Sequence, residues 1–276
     1  MNRQPPLRAK EIPSLKWSGC SDTGRVRQNN EDSFLGLQFD AREIFRLGKF
    51  GEASLAKNDF TFAVCDGMGG AQAGEFASRI AVEKIATLLP RAFQQSASGL
   101  NAGCADVLTE LFTQVHRALV FVGGSYDECE GMQTTLSLCW FTPGWMCFGH
   151  IGDSRIYHLP KRKKEIKLLT QDDTHVGWLF RNGKISEYEA RTHPRRNVLQ
   201  RALGGGNQFV EPQVGAVGCE RGDVFLLCTD GLIDGLSEGQ LVEMLRDDKG
   251  SAQQLVEASV KNSGRDNTTA LVVQVA

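Results

Sequence analysis

The chain has 276 residues, of which 41% are hydrophobic, and this is enough for one substantial core, so we expect a single domain. Its formal net charge of −2 gives no cationic excess, which argues against a nucleic-acid partner and against an anionic membrane partner. The first residues form no apolar signal segment and no later run is apolar for long enough to span a bilayer, so we expect a cytoplasmic protein.

The chain starts with a polar stretch that contains three prolines, residues 1–15, and we predict a flexible N-terminal arm there. The folded domain is predicted to run over residues 16–276. Residues 42–58 are polar with scattered apolar positions and predict a hairpin excursion. Short apolar runs bounded by turn residues predict strands at residues 59–65, 134–141, 145–150, 155–159, 224–228 and 268–275.

Helices are predicted between these blocks of strands. Apolar residues recur every three or four positions across residues 72–90, which indicates one face of an amphipathic helix. Residues 105–121 and 238–260 also have helical character, and the second stretch is broken around residues 247–250. Because strands come in blocks and helices in pairs, the order favours an α+β fold with antiparallel sheets flanked by helices over a βαβ alternation.

Acidic residues stand at the ends of the predicted strands. Asp66 and Asp230 each end an apolar strand, Asp153 follows the strand at 145–150, and Asp266 immediately precedes the last strand. Strand ends in a layered fold gather at one rim, so we expect these four side chains to converge. A single Asp-Gly pair would indicate only a turn, and it is the set of four that favours a site.

Such a group of carboxylates needs protons or cations, because two like charges ~4 Å apart repel by about 4 kcal/mol at an effective dielectric near 20. The chain has eight cysteines but no C-x-x-C pair, so we expect reduced thiols and no zinc site. Hard oxygen ligands favour Mg²⁺ or Mn²⁺. Gly67 and Gly231 follow two of the acids, where the backbone must turn sharply or approach an ion closely.

Several longer motifs contain these acids and follow one another along the chain. They are S21-DTGRVRQNNED-32, V64-CDGMGG-70, G131-MQTT-135, G149-HIGDSR-155, T229-DGL-232 and D266-NTT-269. In type and order they resemble the metal-dependent Ser/Thr phosphatases of type 2C, the PPM family, in its bacterial form. The resemblance covers nearly everything after Trp17. It implies a four-layer αββα sandwich, in which two antiparallel sheets are flanked by helix pairs, with a flap at about residues 172–206.

The resemblance also implies two catalytic ions, Mn²⁺ or Mg²⁺, in a cleft at one rim. By this analogy Asp66 is a catalytic residue that bridges both ions, the carbonyl of Gly67 binds one of them, and Asp230 and Asp266 hold the other. Glu31 and Asp32 would act through metal-bound water.

A weaker third metal site is implied at Asp153 with Asp230 and Asp234. Arg27 matches the family's catalytic arginine, which grips the substrate phosphate. This role suits a guanidinium, because its paired donors match phosphate oxygens and it keeps its proton. Without the neighbouring Glu31 and Asp32, a surface arginine would be the better interpretation.

The implied activity is hydrolysis of phosphoserine and phosphothreonine in proteins by water, opposing a bacterial Ser/Thr kinase, and we expect a monomer. Met68 stands where some family members have a histidine, so the general acid stays unassigned. Two other functions remain open. One is a catalytically inactive domain that binds phosphoproteins, although Asp66, Asp230 and Asp266 are all present. The other is a metallohydrolase of small phosphoesters, which would need the same metals.

Overall fold

The computed structural model describes residues 13–40, 42–69, 72–97, 103–163, 165–206, 209–246 and 250–276. Most of the predicted N-terminal arm lies outside these residues. Its predicted end at residue 15 is wrong, because the first strand begins at Ser14 and Leu15 is fully buried. Pro13 lacks a backbone N–H and stands just before the strand, whereas the apolar side chain of Leu15, two residues later, already packs in the core.

The described residues form fourteen strands. They are β1 Ser14–Asp22, β2 Asp32–Phe39, β3 Ile44–Arg46, β4 Phe50–Ser54, β5 Asp59–Met68, β6 Gln133–Thr134, β7 Leu136–Thr142, β8 Trp145–Ile151, β9 Arg155–Leu159, β10 Lys167–Leu168, β11 Leu203–Gly204, β12 Gln213–Gly218, β13 Val224–Cys228 and β14 Thr268–Val275. All six strands that the sequence predicted are present, whereas β1, β2 and β12 were not predicted. Buried and more exposed positions are mixed along β1 and β2, half-buried and exposed positions alternate along β12, and none of the three has a continuous apolar run.

The described residues also form seven α-helices. They are α1 Ala73–Ala97, α2 Cys104–Ser125, α3 His175–Arg181, α4 Glu187–Thr192, α5 Asp230–Gly235, α6 Glu238–Leu245 and α7 Ala252–Asn262. The helices predicted at 72–90 and 105–121 correspond to α1 and α2. The interrupted helix predicted at 238–260 is α6 followed by α7, each with a serine at its N-cap that accepts a backbone hydrogen bond. No described helix is both long enough and apolar enough to cross a membrane.

The strands form two antiparallel sheets. The first has the order β10-β9-β13-β14-β1-β4, and the second has the order β11-β6-β5-β7-β8-β12, with β2 paired to β5 and β3 paired to β2. A buried apolar cluster between the two sheets includes Phe60, Phe62 and Phe225. A second cluster joins the second sheet to α1 and α2, and a third joins the first sheet to α5, α6 and α7. The α+β, four-layer αββα arrangement is therefore confirmed.

The segment predicted as a hairpin excursion, residues 42–58, has a different structure. Its two strands do not pair with each other: β3 extends the second sheet beside β2, and β4 extends the first sheet beside β1. Gly51 permits this, because a Cβ there would lie 2.4 Å from the Trp17 ring. The segment therefore crosses from one sheet to the other along one edge of the sandwich.

The segment predicted as a flap follows β10. It contains α3, α4 and β11, and it is tied to the sandwich at both ends. At its start Asp173 N donates to Gly152 O over 2.7 Å, and at its end β11 pairs with β6. An isolated bridge between Thr174 and Leu199 brings its two arms together.

Candidate metal and phosphate site

The candidate site lies where β2 begins and β5 ends. Asp32, the first residue of β2, is paired in register with Asp66 near the end of β5. Since β2 and β5 are antiparallel neighbours, their ends bring two acidic residues to one point of the sheet rim. The convergence of the acidic side chains therefore starts with the register of one strand pair.

The main chain of Asp66 is fixed by two consecutive threonines, Thr134 at the end of β6 and Thr135 between β6 and β7. Thr135 Oγ1 accepts from Asp66 N over 2.9 Å, and Thr134 Oγ1 donates to Asp66 O over 2.9 Å. Thr135 N donates to the same carbonyl over 2.9 Å. Both threonines are buried, so these bonds hold the residue before Gly67 in one position. Their role was not predicted, although the sequence analysis placed both in a motif.

Among the described residues, hydrogen bonds reach one of the two carboxylate oxygens of Asp32 and not the other. Thr229 and Thr269 both donate to its Oδ2, over 2.8 and 2.7 Å. Its Oδ1 is buried and accepts no hydrogen bond from the part of the chain that the structure describes. Burial raises the pKa of Asp32 to about 7, against the opposing effect of the two hydroxyl donors. A buried acceptor without a partner is suited to accept a hydrogen bond from a water molecule bound to a metal ion.

Asp66 and Asp230 share one electrostatic environment. Burial raises the pKa of Asp66 well above its usual range, and the negative charges of Asp32, Asp230, Asp153 and Asp266 raise it further. Burial likewise raises the pKa of Asp230, and the charges of Asp153, Asp266, Asp234 and Asp32 add to the effect. Acidic residues from distant parts of the sequence therefore face one buried region, as the positions at strand ends predicted.

Asp153 lies beside the start of the flap. Burial raises its pKa to about 7, and the charges of Asp172 and Asp173 act in the same direction while Arg155 opposes them. Arg155 forms a bidentate pair with Asp172, at 2.9 and 2.7 Å. Asp173 Oδ2 accepts from Gly152 N over 3.1 Å. Asp172 and Asp173 of the flap were not predicted as site residues. Their occurrence as two adjacent acidic residues was the signal in the sequence that could have identified them.

Two predicted ligands pair with arginines. Asp266 Oδ2 accepts from Arg27 Nη2 over 2.8 Å, and Arg27 is half exposed. Asp234 Oδ2 accepts from Arg196 Nη2, in the flap, over 2.8 Å. Burial raises the pKa of Glu31, and the nearby charge of Arg27 opposes this effect. Arg27 and Glu31 therefore both lie beside Asp266, at the mouth of the cluster.

Within the ranges given above, no three His, Cys, Asp or Glu side chains stand together as a ready-formed set of metal ligands. The residues nevertheless fit divalent cations. They are carboxylates whose negative charges raise the pKa of Asp66 and of Asp230, they include the unpartnered Oδ1 of Asp32, and all their donor atoms are hard oxygens. A cation would balance negative charge that Arg27 and Arg196 now balance in part, at Asp266 and Asp234.

The two glycines after Asp66 and Asp230 serve close packing of backbone against backbone. A Cβ on Gly67 would lie 1.9 Å from the carbonyl oxygen of Gly74 in α1. A Cβ on Gly231 would lie 2.0 Å from the carbonyl oxygen of Asn267. Neither glycine has a positive φ. Both glycines therefore allow backbone to pack against a carbonyl group of the chain itself, and the expected approach of this backbone to an ion stays a prediction.

The fold and the group of acidic side chains at this rim define a class of protein: an α+β sandwich with a carboxylate site that is suited to divalent cations. A sequence profile described as protein phosphatase 2C matches residues 49–272. The chain is 31% identical over 258 residues to the serine/threonine phosphatase stp of Listeria monocytogenes, covering 92% of this chain and 93% of the relative. The chain therefore belongs to the protein phosphatase 2C family.

A second relative is the serine/threonine protein phosphatase PstP of Mycobacterium tuberculosis, 34% identical over 266 residues. That match covers 95% of this chain but only 45% of PstP, so the chain spans less than half the length of this relative. The solved catalytic domain of PstP in complex with two manganese ions has a TM-score of 0.75 and 30% identity, and the match covers 96% of this chain and 99% of that one.

Proposed function

We propose that this protein hydrolyses phosphoserine and phosphothreonine in proteins, with water as the nucleophile and with Mn²⁺ or Mg²⁺ in the carboxylate cleft. The observation that carries the proposal is the group of half-buried Asp66, Asp230 and Asp266 beside the half-exposed Arg27. Membership of the protein phosphatase 2C family and the two manganese ions in PstP support it.

In this proposal the carboxylates of Asp66, Asp230 and Asp266 and the carbonyl of Gly67 would hold the two ions. When bound, the ions would supply a water nucleophile at neutral pH by lowering the pKa of bound water, and they would neutralise charge on the phosphoryl oxygens. The carboxylates would fix the positions of the ions, because Asp66 lies in β5 and the other two stand next to the strands β13 and β14.

Arg27 binds the phosphate of the substrate. Its guanidinium now donates to Asp266, which is the charge that a cation would take over. An arginine released from this pair can offer two parallel donors to two phosphate oxygens at the mouth of the cleft. Glu31 and Asp32 act through ordered water, for which the free Oδ1 of Asp32 is a suitable acceptor.

A weaker third metal site at Asp153, Asp230 and Asp234 completes the proposed centre. Asp153 and Asp234 both raise the pKa of Asp230. We further propose that the phosphatase domain, predicted over residues 16–276, begins slightly earlier with β1 at Ser14, and that the flap at about residues 172–206 influences the choice of substrate. We also propose that the protein acts as a monomer in the cytoplasm and opposes a Ser/Thr kinase.

Phosphate release from three substrates tests the activity: a phosphothreonine peptide, a phosphotyrosine peptide and a small aryl phosphate, each with and without Mn²⁺. We expect Mn²⁺-dependent release with preference for the phosphothreonine peptide. Asp230→Asn is the control that removes a proposed ligand, and Asp59→Asn is its match. Like Asp230, Asp59 is a carboxylate with a raised pKa, but it stands at the start of β5, at the opposite end of that strand from Asp66.

Each alternative function predicts a different result. Release from none of the substrates, together with tight binding of the phosphothreonine peptide, would support an inactive phosphoprotein-binding domain. A clear preference for the aryl phosphate would support a small-phosphoester hydrolase. Equal activity of wild type and Asp230→Asn would contradict the proposed centre itself.

A further inference from the structure

The loop between β1 and β2, residues 23–31, carries Arg27 and Glu31 and is held by one buried amide. Asn267 Nδ2 donates to Thr23 O and to Asn29 O, each over 2.9 Å. Its Oδ1 accepts from Glu31 N over 2.8 Å. Asn267 is 5% exposed, and all three bonds are at least partly buried. The side chain therefore contacts the loop at its start and at two positions near its end.

Only an amide of this length satisfies the three contacts. The two carbonyls need donors and the Glu31 N–H needs an acceptor, which the asparagine side chain supplies together. An aspartate would keep the acceptor but would set a carboxylate oxygen against two carbonyl oxygens. An alanine would remove the side-chain partner of three backbone groups that are at least partly shielded from water.

The position of Asn267 ties the loop to two of the proposed metal ligands. It directly follows Asp266, and its own N–H donates to Asp266 Oδ1 over 2.9 Å. Its carbonyl oxygen packs closely against Gly231, the residue after Asp230. Asn267 therefore connects the loop with Arg27 to the same backbone that positions Asp230 and Asp266.

A second anchor fixes the loop before Arg27. Arg25 Nη2 donates to Ser263 O over 2.7 Å and to Lys261 O over 3.3 Å, at the end of α7. Arg25 N donates to Gly264 O over 2.7 Å. With Arg25 held on one side and Asn29 on the other, the backbone of Arg27 has little freedom.

We propose that Asn267 is a positioning residue that sets Arg27 at phosphate-binding distance from the carboxylate cleft, without itself contacting the substrate. This inference rests on the proposed function, because it assumes that Arg27 binds the substrate phosphate. A displaced loop would misplace the guanidinium, and misplacement by about 1 Å can reduce a rate by up to about 100-fold. Asn267 thus acts on phosphate binding through Arg27.

A double-mutant cycle tests the proposal. Asn267→Ala and Asn267→Asp are made in wild type and in Arg27→Ala, and kcat and KM are measured with a phosphothreonine peptide, together with the Ki of inorganic phosphate. In the wild-type background we expect KM and Ki to rise about 10-fold, with a smaller fall in kcat. In the Arg27→Ala background the same substitutions should change KM and Ki by less than about 2-fold, because the group they position is absent.

The matched control is Gln253→Ala. Gln253 Nε2 donates to Glu257 Oε1 over 2.8 Å near the start of α7, so the variant loses an amide hydrogen bond away from the loop and from both of its anchors. It should leave Ki unchanged. Thermal unfolding checks that each variant is folded, and Asn267→Asp remains informative if Asn267→Ala does not fold, because it keeps the size and the acceptor oxygen.

Three results would overturn the proposal: an unchanged Ki in both Asn267 variants, an equal loss with and without Arg27, or a loss of Mn²⁺ affinity parallel to the loss of phosphate affinity. The last would make Asn267 a support for Asp266. Calorimetric binding of inorganic phosphate to the Mn²⁺-loaded protein tests the positioning role even without turnover. Failure of the proposed activity would appear as absent phosphate release from wild type, and failure of this inference as unaltered phosphate binding.

Discussion

Asp32 and Asp66 lie directly opposite each other in the antiparallel pairing of β2 with β5. Like charges in directly opposed positions of a sheet destabilise it. The structure offsets this with two hydroxyl donors on Asp32, from Thr229 and Thr269, and with a pKa raised to about 7. The pair therefore stores unfavourable electrostatic energy that a divalent cation can relieve.

Metal-free protein should lose stability as the pH rises from about 4 to about 7. The pKa values of Asp32 and Asp153 are each raised to about 7, whereas an unfolded aspartate has a pKa of about 3.9. Between these values the folded state binds more protons, so the free energy of unfolding falls with rising pH. Thermal unfolding with a chelator at several pH values measures this fall, and saturating Mn²⁺ should reduce it.

Asp32→Asn should flatten this pH dependence and make metal-free protein more stable than wild type at pH 8, while activity falls. The asparagine can accept from both threonines without a buried charge. Asp59→Asn is the control, since the pKa of Asp59 is raised to about 6 by burial far from the site. It should flatten the curve while activity stays at the wild-type level. A steep pH dependence retained in Asp32→Asn would contradict the assignment of the charge to this carboxyl.

Thr229→Val should destabilise metal-free protein at pH 8 by about 2 kcal/mol, because it removes a hydrogen bond to an ionised group. Thr229 Oγ1 donates to Asp32 Oδ2 and also accepts from Thr269 N over 3.0 Å. Urea unfolding measures the difference. Thr113→Val is the matched control, since the Thr113 hydroxyl donates only to Thr109 O on the exposed face of α2. Equal losses in both variants would refute a special role for the Asp32 contact.

Arg27→Ala should lower kcat/KM for a phosphothreonine peptide by about 100-fold, and Arg27→Lys by less, because lysine keeps the charge but loses the paired donors. Steady-state kinetics with Mn²⁺ measures both. Arg46→Ala is the control, since Arg46 pairs with Glu83 and both side chains are more than half exposed. If Arg27→Ala behaved like Arg46→Ala, Arg27 would not bind the phosphate.

Arg196→Ala should loosen the flap with little cost in global stability. Arg196 joins the flap to Asp234 in α5, but both side chains are partly exposed, so we expect a loss of less than about 1 kcal/mol. Limited chymotrypsin digestion should cut faster at the exposed aromatic residues of the flap, Trp178, Phe180 and Tyr188. Asp234→Asn should give the same digestion pattern, and a cutting rate equal to wild type in both variants would show that the pair does not hold the flap.

The sequence predicted the acidic residues of the site from a local pattern, because Asp66, Asp153, Asp230 and Asp266 each stand next to an apolar strand. The main strands and α1 were predicted for the same reason, since continuous apolar runs and a helical period are visible within a short window. The strands β1 and β2 were missed because they lack a continuous apolar run. Residues 42–58 were misread because the partner of an edge strand cannot be found within the strand itself.

What the sequence by itself determined is which residues carry negative charge and that they stand at strand ends. Only the tertiary structure decided that Asp32 faces Asp66, that Thr229 and Thr269 hold Asp32, and that Asn267 holds the loop of Arg27. These contacts join residues up to 244 positions apart in the chain. They depend on sheet register and on packing between layers, because those alone bring such distant groups within hydrogen-bonding distance.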